Sequence, residues 1–191
     1  LPLAVVQRAG ERNVRLIDFD SPGNNRFEAT AEWVYEGPVF TNRADVVMLI
    51  NGIPVAVCET KNANKPDGLE VGVEQIRRYH HETPELLTLS QLFEVTHLWR
   101  FYYGPTWAAN RKNIFDWRVD EPADFERKVK AFFDKTRFLR VLRDYIIFLT
   151  QDDATTKVIL RQHQTRAVEK VVARALHPAK RRGLIWHTQG S

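Results

Sequence analysis

Cysteine occurs once in the 191 residues, at Cys58, inside an apolar run. A single thiol excludes an internal disulfide and a cysteine-rich zinc site. It reads as a small buried hydrophobe in a reducing, cytoplasmic setting. No apolar run approaches the ~18 residues of a membrane-spanning helix. The opening LPLAVV is too short for a signal segment and lacks a basic flank. There is no internal repeat and no low-complexity tract. Neither sign of charge dominates: 28 basic residues stand against 24 acidic ones, a net charge of +4, with a pI of about 9.3. That excess permits nucleic-acid binding without requiring it. What remains is ordinary for a globular chain, 43% hydrophobic and 27% charged. The length suits one domain with a real core and part of a second. The chain opens on Leu1 and stops at HTQGS, inside what reads as a motif, so a piece of a longer polypeptide is expected.

Periodicity predicts a strand-rich first half. Residues 14–19 (VRLIDF) read as a short strand, followed by the turn signal SPGNN. Residues 27–35 alternate, with Phe27, Ala29, Ala31, Trp33 and Tyr35 on one side. Residues 44–50 and 54–59 are continuously apolar, as central strands are, and Asn51-Gly52 between them signals a hairpin. A helix is predicted over 69–82, ended by Thr83-Pro84. Strands follow at 92–95 and 99–103. Residues 124–148 read as a long amphipathic helical region, as one helix or two, residues 151–156 as a polar linker or loop, residues 162–176 as a helix, and residues 183–186 (GLIW) as a buried strand. The expected organisation is an α/β domain over 1–120, a helical connector over 121–156 and the start of a second α/β domain over 157–191.

The stretch DVVMLINGIPVAVCETK, from Asp45 to Lys61, carries chemistry. It sets one acid at the start of one apolar strand and Glu59-Thr60-Lys61 at the end of the next. Asp45 and Glu59, with the Thr60 carbonyl, are candidate ligands for Mg²⁺, which neutralises charge and activates water beside a phosphate. Lys61 shares a strand face with Glu59 and can orient that water. Pairing parity adds a constraint. A regular two-residue hairpin at Asn51-Gly52 would oppose Asp45 to Cys58 and turn Glu59 to the other face. The site therefore predicts a three-residue loop or a one-residue bulge in one strand. On the helix that follows, Gln75 and Tyr79 share a face and can support the lysine or meet a phosphate. Lys65, Arg77 and Arg78 are candidate DNA contacts, with a solvated helix face the plainer account of each. A structural ion pair is the plain account of the Glu59–Lys61 pair. The histidines show no metal-ligand spacing.

The pattern Asp45…Glu59-x-Lys61 followed by Gln75-x-x-x-Tyr79 resembles the PD-(D/E)xK nuclease superfamily, in its subgroup with a Q-x-x-x-Y helix. More narrowly, IDFDSPGNNRF, NGIP, ETKNAN and QIRRYH resemble the N-terminal part of the R (restriction) subunit of type I restriction endonucleases. RQHQTRAVEKVV is similar to the segment before a superfamily 2 helicase motor. There the resemblance gives Gln164 an adenine contact, and makes Thr188, Gln189, Gly190 and Ser191 the opening of a phosphate-binding loop that lacks its lysine here. Two departures stand out. Ala44 replaces the proline usual before the first acid, and the family's N-terminal helical region is absent.

The resemblance implies a restriction-endonuclease-like core with a mixed sheet, a helical connector and the first elements of a RecA-like motor. It implies Mg²⁺-dependent cleavage of double-stranded DNA after ATP-driven translocation, alongside modification and specificity subunits. Two alternatives stay open: a recombination or repair nuclease of the same superfamily, and a non-cleaving domain that binds DNA or docks subunits.

Overall fold

The computed structural model describes residues 15–62, 64, 66–97, 100–119, 124–151, 153–179 and 182–186. The chain divides into two compact units, Leu1–Ile159 and Leu160–Ser191. The first is built on one six-stranded sheet in sequential order: β1 (Phe27–Glu36), β2 (Thr41–Ile50), β3 (Ile53–Lys61), β4 (Leu92–His97), β5 (Arg100–Pro105) and β6 (Phe115–Asp116). Neighbours are antiparallel except β3 and β4, which run parallel. A parallel pair needs a crossover, and α1 (Gly68–Glu82) with the short α2 (Leu86–Leu89) supplies it. The result is α/β with a mixed sheet flanked by helices, as expected.

The helix α1 buries Val73, Ile76 and Tyr79 against Val47, Leu49, Val57, Phe93 and Val95 of the sheet. It comes close because Gly72 has no side chain: a Cβ there would meet Val95 Cγ1 at 2.4 Å. The opposite face carries an aromatic cluster of Phe101, Tyr103, Trp117, Phe132, Phe133 and Phe138. The helix α3 (Phe125–Phe132), its C-cap Phe133 and the helix α4 (Lys135–Arg140) bring the last three. Each large side chain so buried stabilises the fold by roughly 1.5–3 kcal/mol. Asp124 and Asp134 cap the two helices, accepting from the Arg127 and Arg137 amides.

Asn51 (φ 54°) and Gly52 (φ 80°) form the left-handed pair of a two-residue hairpin turn. The Asn51 amide donates to Arg26 O at 2.8 Å and its Oδ1 accepts from the Arg26 amide at 2.7 Å. Its Nδ2 also reaches Leu16 O and Asn25 Oδ1. This clamp explains why residues 15–19 are not the expected strand (Val14 lies outside the described residues). The backbone there bonds to side chains, with the Asp18 amide on Asn25 Oδ1 and Asp18 O accepting from Asn25 Nδ2.

Three further expectations are corrected. The helical region expected over 124–148 breaks at the Asp134 cap, widens into a π-helical turn at Val141–Tyr145, and gives way to β7 (Ile146–Gln151). The polar segment 151–156 is no linker, because β8 (Ala154–Ile159) pairs with β7 around a turn at Asp153, φ 61°. The single apolar stripe on β1 is interrupted: Trp33 and Tyr35 pack on the core, while Ala29 and Ala31 are exposed.

The hairpin is anchored by Lys157, which has no exposed surface. Its Nζ donates to Thr106 Oγ1 at 2.7 Å and lies 4.0 Å from the Trp107 ring centroid. In the second unit, α5 (Gln162–Ala175) forms as expected. Gly183–Trp186 does not form a strand, and Leu184, Ile185 and Trp186 are exposed. A strand exists only against a partner, and none is described in this unit. Among the described residues no helix is long and apolar enough to cross a membrane.

Candidate functional site

The hairpin contains the irregularity that parity demands. From the turn, Ile50 pairs with Ile53 and Leu49 with Pro54, but Met48 then pairs with Ala56. Val55 is the extra residue of a bulge. Beyond it Val46 faces Cys58, so one more step in the same register sets Asp45 against Glu59. The ladder ends there and the strands splay, which frees backbone groups of β2. Side chains take them up: the Tyr79 hydroxyl lies 2.6 Å from Arg43 O, and the Asp45 amide points at Glu59 Oε1 at 3.4 Å. Sequence reading missed this role of Arg43, because a carbonyl leaves no signature in residue type.

The charged groups converge in the splay. Lys61 Nζ donates to Glu59 Oε2 and Gln75 Oε1, both at 2.8 Å, and lies 3.7 Å from Asp45 Oδ2. Asp45 Oδ2 also accepts from the Thr60 amide at 2.8 Å and from Thr60 Oγ1 at 3.1 Å. Gln75 Nε2 donates to the Tyr79 hydroxyl at 2.7 Å, and that hydroxyl lies 2.9 Å from Glu59 Oε1. The structure thus brings together Asp45, Glu59, Thr60, Lys61, Gln75 and Tyr79.

Burial grades the two acids. Glu59 has a fully buried side chain, whereas Asp45 keeps 30% of its side-chain exposure. Burial pushes the Glu59 carboxyl above the usual range; the Lys61 ammonium works against that shift, and the nearby Asp45 charge adds to it. The Tyr79 phenol is pushed up mainly by burial. Cys58 is buried, and burial raises its thiol far above the ordinary value, so it acts as a small core residue.

Among the described residues no group of three or more His, Cys, Asp or Glu is placed to hold a metal. The site offers two carboxylates with hard oxygens, one buried and one solvent-accessible. That set fits Mg²⁺, which takes one or two carboxylates and keeps several waters. The Thr60 amide and hydroxyl both donate to Asp45, and its carbonyl is the candidate third oxygen.

The other candidate residues are engaged elsewhere or lie outside the described residues. Arg77 donates to Ala109 O at 2.7 Å and pairs with Glu74. Arg78 lies 3.6 Å from Glu82 and over the Tyr79 ring. Gln164 caps α5, its Oε1 accepting from the Arg161 amide at 2.9 Å. Lys65, Thr188, Gln189, Gly190 and Ser191 lie outside the described residues.

Comparison with known proteins agrees with the resemblance. Residues 3–109 match the family model described as Type I restriction enzyme R protein N terminus. A Methanocaldococcus jannaschii protein named as a type I restriction enzyme endonuclease subunit, MjaVIIP, is 30% identical over 98% of this chain and 19% of its own length. The type I restriction enzyme EcoprrI endonuclease subunit of Escherichia coli is 26% identical over 84% of this chain and 53% of its own. The HindI endonuclease subunit of Haemophilus influenzae is 26% identical over 93% of this chain and 18% of its own. The chain therefore spans about a fifth of the length of two of these relatives and about half of the third. More than half of it lies within the matched region, and it belongs to the family of type I restriction enzyme R protein N termini.

Proposed function

We propose that the first unit is the Mg²⁺-dependent DNA-cleaving module of a type I restriction enzyme R subunit, with a PD-(D/E)xK site. The observation that carries this reading is the convergence of Asp45, Glu59 and Lys61 at the splayed ends of β2 and β3, backed by Gln75 and Tyr79. Asp45, Glu59 and the Thr60 carbonyl would hold the ion. When bound, Mg²⁺ neutralises charge on the phosphate and lowers the pKa of a water.

The chain's own residues do the rest. Lys61, fixed between Glu59 and Gln75, orients the water and offsets the developing negative charge. Tyr79 holds Glu59 in place against the Arg43 carbonyl. Arg77 and Arg78, with Lys65, contact phosphate by exchanging Glu74 and Glu82 for the DNA backbone. On the same reading the first unit holds the nuclease domain and its connector (1–120 and 121–156), and the second unit, Leu160–Ser191, is the start of an ATP-driven superfamily 2 motor. Gln164 meets adenine and residues 188–191 open the phosphate loop. Double-stranded DNA, with modification and specificity subunits, completes a cytoplasmic complex.

The test uses the full-length protein with its partner subunits, Mg²⁺ and ATP. Asp45→Ala and Lys61→Ala are expected to abolish cleavage while ATP hydrolysis continues. Cleavage at the wild-type rate by both variants removes the site; a wild-type protein that binds DNA and never cuts it points instead to a docking domain.

A further inference from the structure

The two strands at the edge of the sheet change faces together, opposite Asp45. On β1, Glu28 and Thr30 are half-buried, Ala31 and Glu32 are both exposed, and Trp33 and Tyr35 are half-buried again. The positions paired with the α1-facing residues of β2 move from even (Glu28 with Leu49, Thr30 with Val47) to odd (Trp33 with Ala44, Tyr35 with Asn42). On β2, Ala44 and Val47 are both fully buried in the same cluster beneath α1. They are three residues apart, which an uninterrupted strand would set on opposite faces.

No residue is inserted to achieve this. Ala31 pairs with Val46 and Trp33 with Ala44, the register being unchanged on either side. The missing pair is Glu32 with Asp45. A change of face without an insertion must come from backbone conformation, and Glu32 has φ 53°, the left-handed region, within a strand. Its side chain does not account for this. Glu32 is 70% exposed, and its ion pair is a single 3.5 Å contact with an exposed Arg43, of the kind that contributes little.

The consequence falls on the candidate site. Alternation continued from Leu49 and Val47 would point Asp45 at the α1 face and lift Asn42 and Ala44 off it. Instead Asn42 stays buried, donating to Glu82 Oε2 and Thr83 Oγ1 at the end of α1. Asp45 Oδ2 is then free to take the Thr60 amide and hydroxyl. We propose that Glu32 is a positioning residue, whose left-handed backbone turns β2 over at Asp45 and so sets that carboxylate against Thr60 and Glu59. This rests on the reading of Asp45 as a functional acid. It adds that the backbone of Glu32 acts, and not its charge.

Four forms of the full-length protein test it: wild type, Glu32→Gly, Glu32→Gln and Glu32→Val. Glycine adopts the left-handed region freely, glutamine keeps the shape of the side chain without its charge, and a β-branched valine resists positive φ. The first readout is hydrogen exchange of the Thr60 amide, which needs neither metal nor cleavage. Valine is expected to lose Thr60 protection, with the Gly and Gln forms matching wild type. The second is DNA cleavage with partner subunits. Valine is expected to lower kcat on the order of 100-fold at unchanged KM, the scale of a misplaced reacting group.

Full Thr60 protection in the valine form overturns the inference, whatever the cleavage rates. So does a Gln form as impaired as valine, which would put the effect in the ion pair. A valine form with lower melting temperature but wild-type kcat per folded molecule also overturns it, as a merely structural effect. If the valine form does not fold, the smaller β-branched Glu32→Thr takes its place with the same expectations. Failure of the functional reading looks different: Thr60 protection follows the variants as expected, yet Asp45→Ala cleaves like wild type.

Discussion

Glu59 on β3 and Glu94 on β4 are both fully buried, on neighbouring strands and opposite faces of one sheet. Their surroundings differ completely. Glu59 meets Lys61 at 2.8 Å and the Tyr79 hydroxyl at 2.9 Å. Neither carboxyl oxygen of Glu94 has a hydrogen-bond partner, and burial alone pushes its carboxyl far above the ordinary range. A buried carboxylate keeps its charge only where a cation and donors are delivered to it. Glu59 is therefore held with a cation and donors beside it, whereas burial favours the neutral form of Glu94, which sits beside Cys58, its partner across the β3–β4 ladder. Depth of burial is the same; the difference lies in what tertiary structure brings alongside.

The comparison breaks most sharply at Lys61. Removing its ammonium in Lys61→Met should leave Glu59 uncompensated and drop cleavage by about 10³-fold, within the range for acid–base groups. A cleavage assay with Mg²⁺ at saturating DNA reads this directly, and Lys61→Arg should restore only part of it, because its planar guanidinium does not fit a point-charge position.

Glu94→Leu should work in the opposite direction. Replacing an unsatisfied buried acid with an apolar side chain is expected to stabilise the protein by about 1–3 kcal/mol, read by denaturant unfolding. Glu94 also predicts a pH trend. Its folded pKa lies above its unfolded value near 4.5, so the unfolded chain releases its proton first as pH rises. Its contribution is complete below that value and is lost as pH climbs towards the folded pKa. Wild-type stability should fall over this window more steeply than that of Glu94→Leu; equal slopes would sink the assignment.

Lys157 sharpens the same lesson with the other sign. Burial lowers its amine to about 7 from an ordinary 10.5. The Trp107 and Phe148 rings, Thr106 Oγ1 and Ser90 O face it, and His80, with His81 beside it, is the nearby titratable group. The unfolded chain holds the extra proton between these two values, so stability contributed by Lys157 should rise from pH 7 to 10.5. Lys157→Met should flatten that rise, which unfolding at several pH values measures. The smallest expected effect is at the turn clamp: Asn51→Ala should cost about 1–2 kcal/mol, through lost side-chain bonds to backbone and a strained positive φ.

Much of the nuclease-like core was legible before any coordinates. Valine-rich runs broken by Asn51-Gly52 announced β2 and β3, and 3.6-residue spacing announced α1. Parity required a three-residue loop or a bulge, and Val55 provides the bulge. The hairpin of β7 and β8 was not legible. Ile146, Ile147, Phe148 and Leu149 suit a helix or a strand equally in a short run, and a polar strand such as residues 154–157 looks like a linker until it is paired. The stripe on β1 is interrupted for a related reason: alternation assumes one backbone conformation throughout, and Glu32 departs from it.

By itself the sequence determined the chemical inventory and its order along the chain: two acids, a lysine, a glutamine and a tyrosine at strand and helix spacings. Those follow from local periodicity, which is written in residue type. Only the tertiary structure decided that the Arg43 carbonyl meets Tyr79, that β1 and β2 turn over together at Glu32 and Asp45, and that Glu59 gains partners while Glu94 gains none. Each of these depends on which distant backbone a side chain meets, and pairing between remote segments leaves no trace in the spacing of either one.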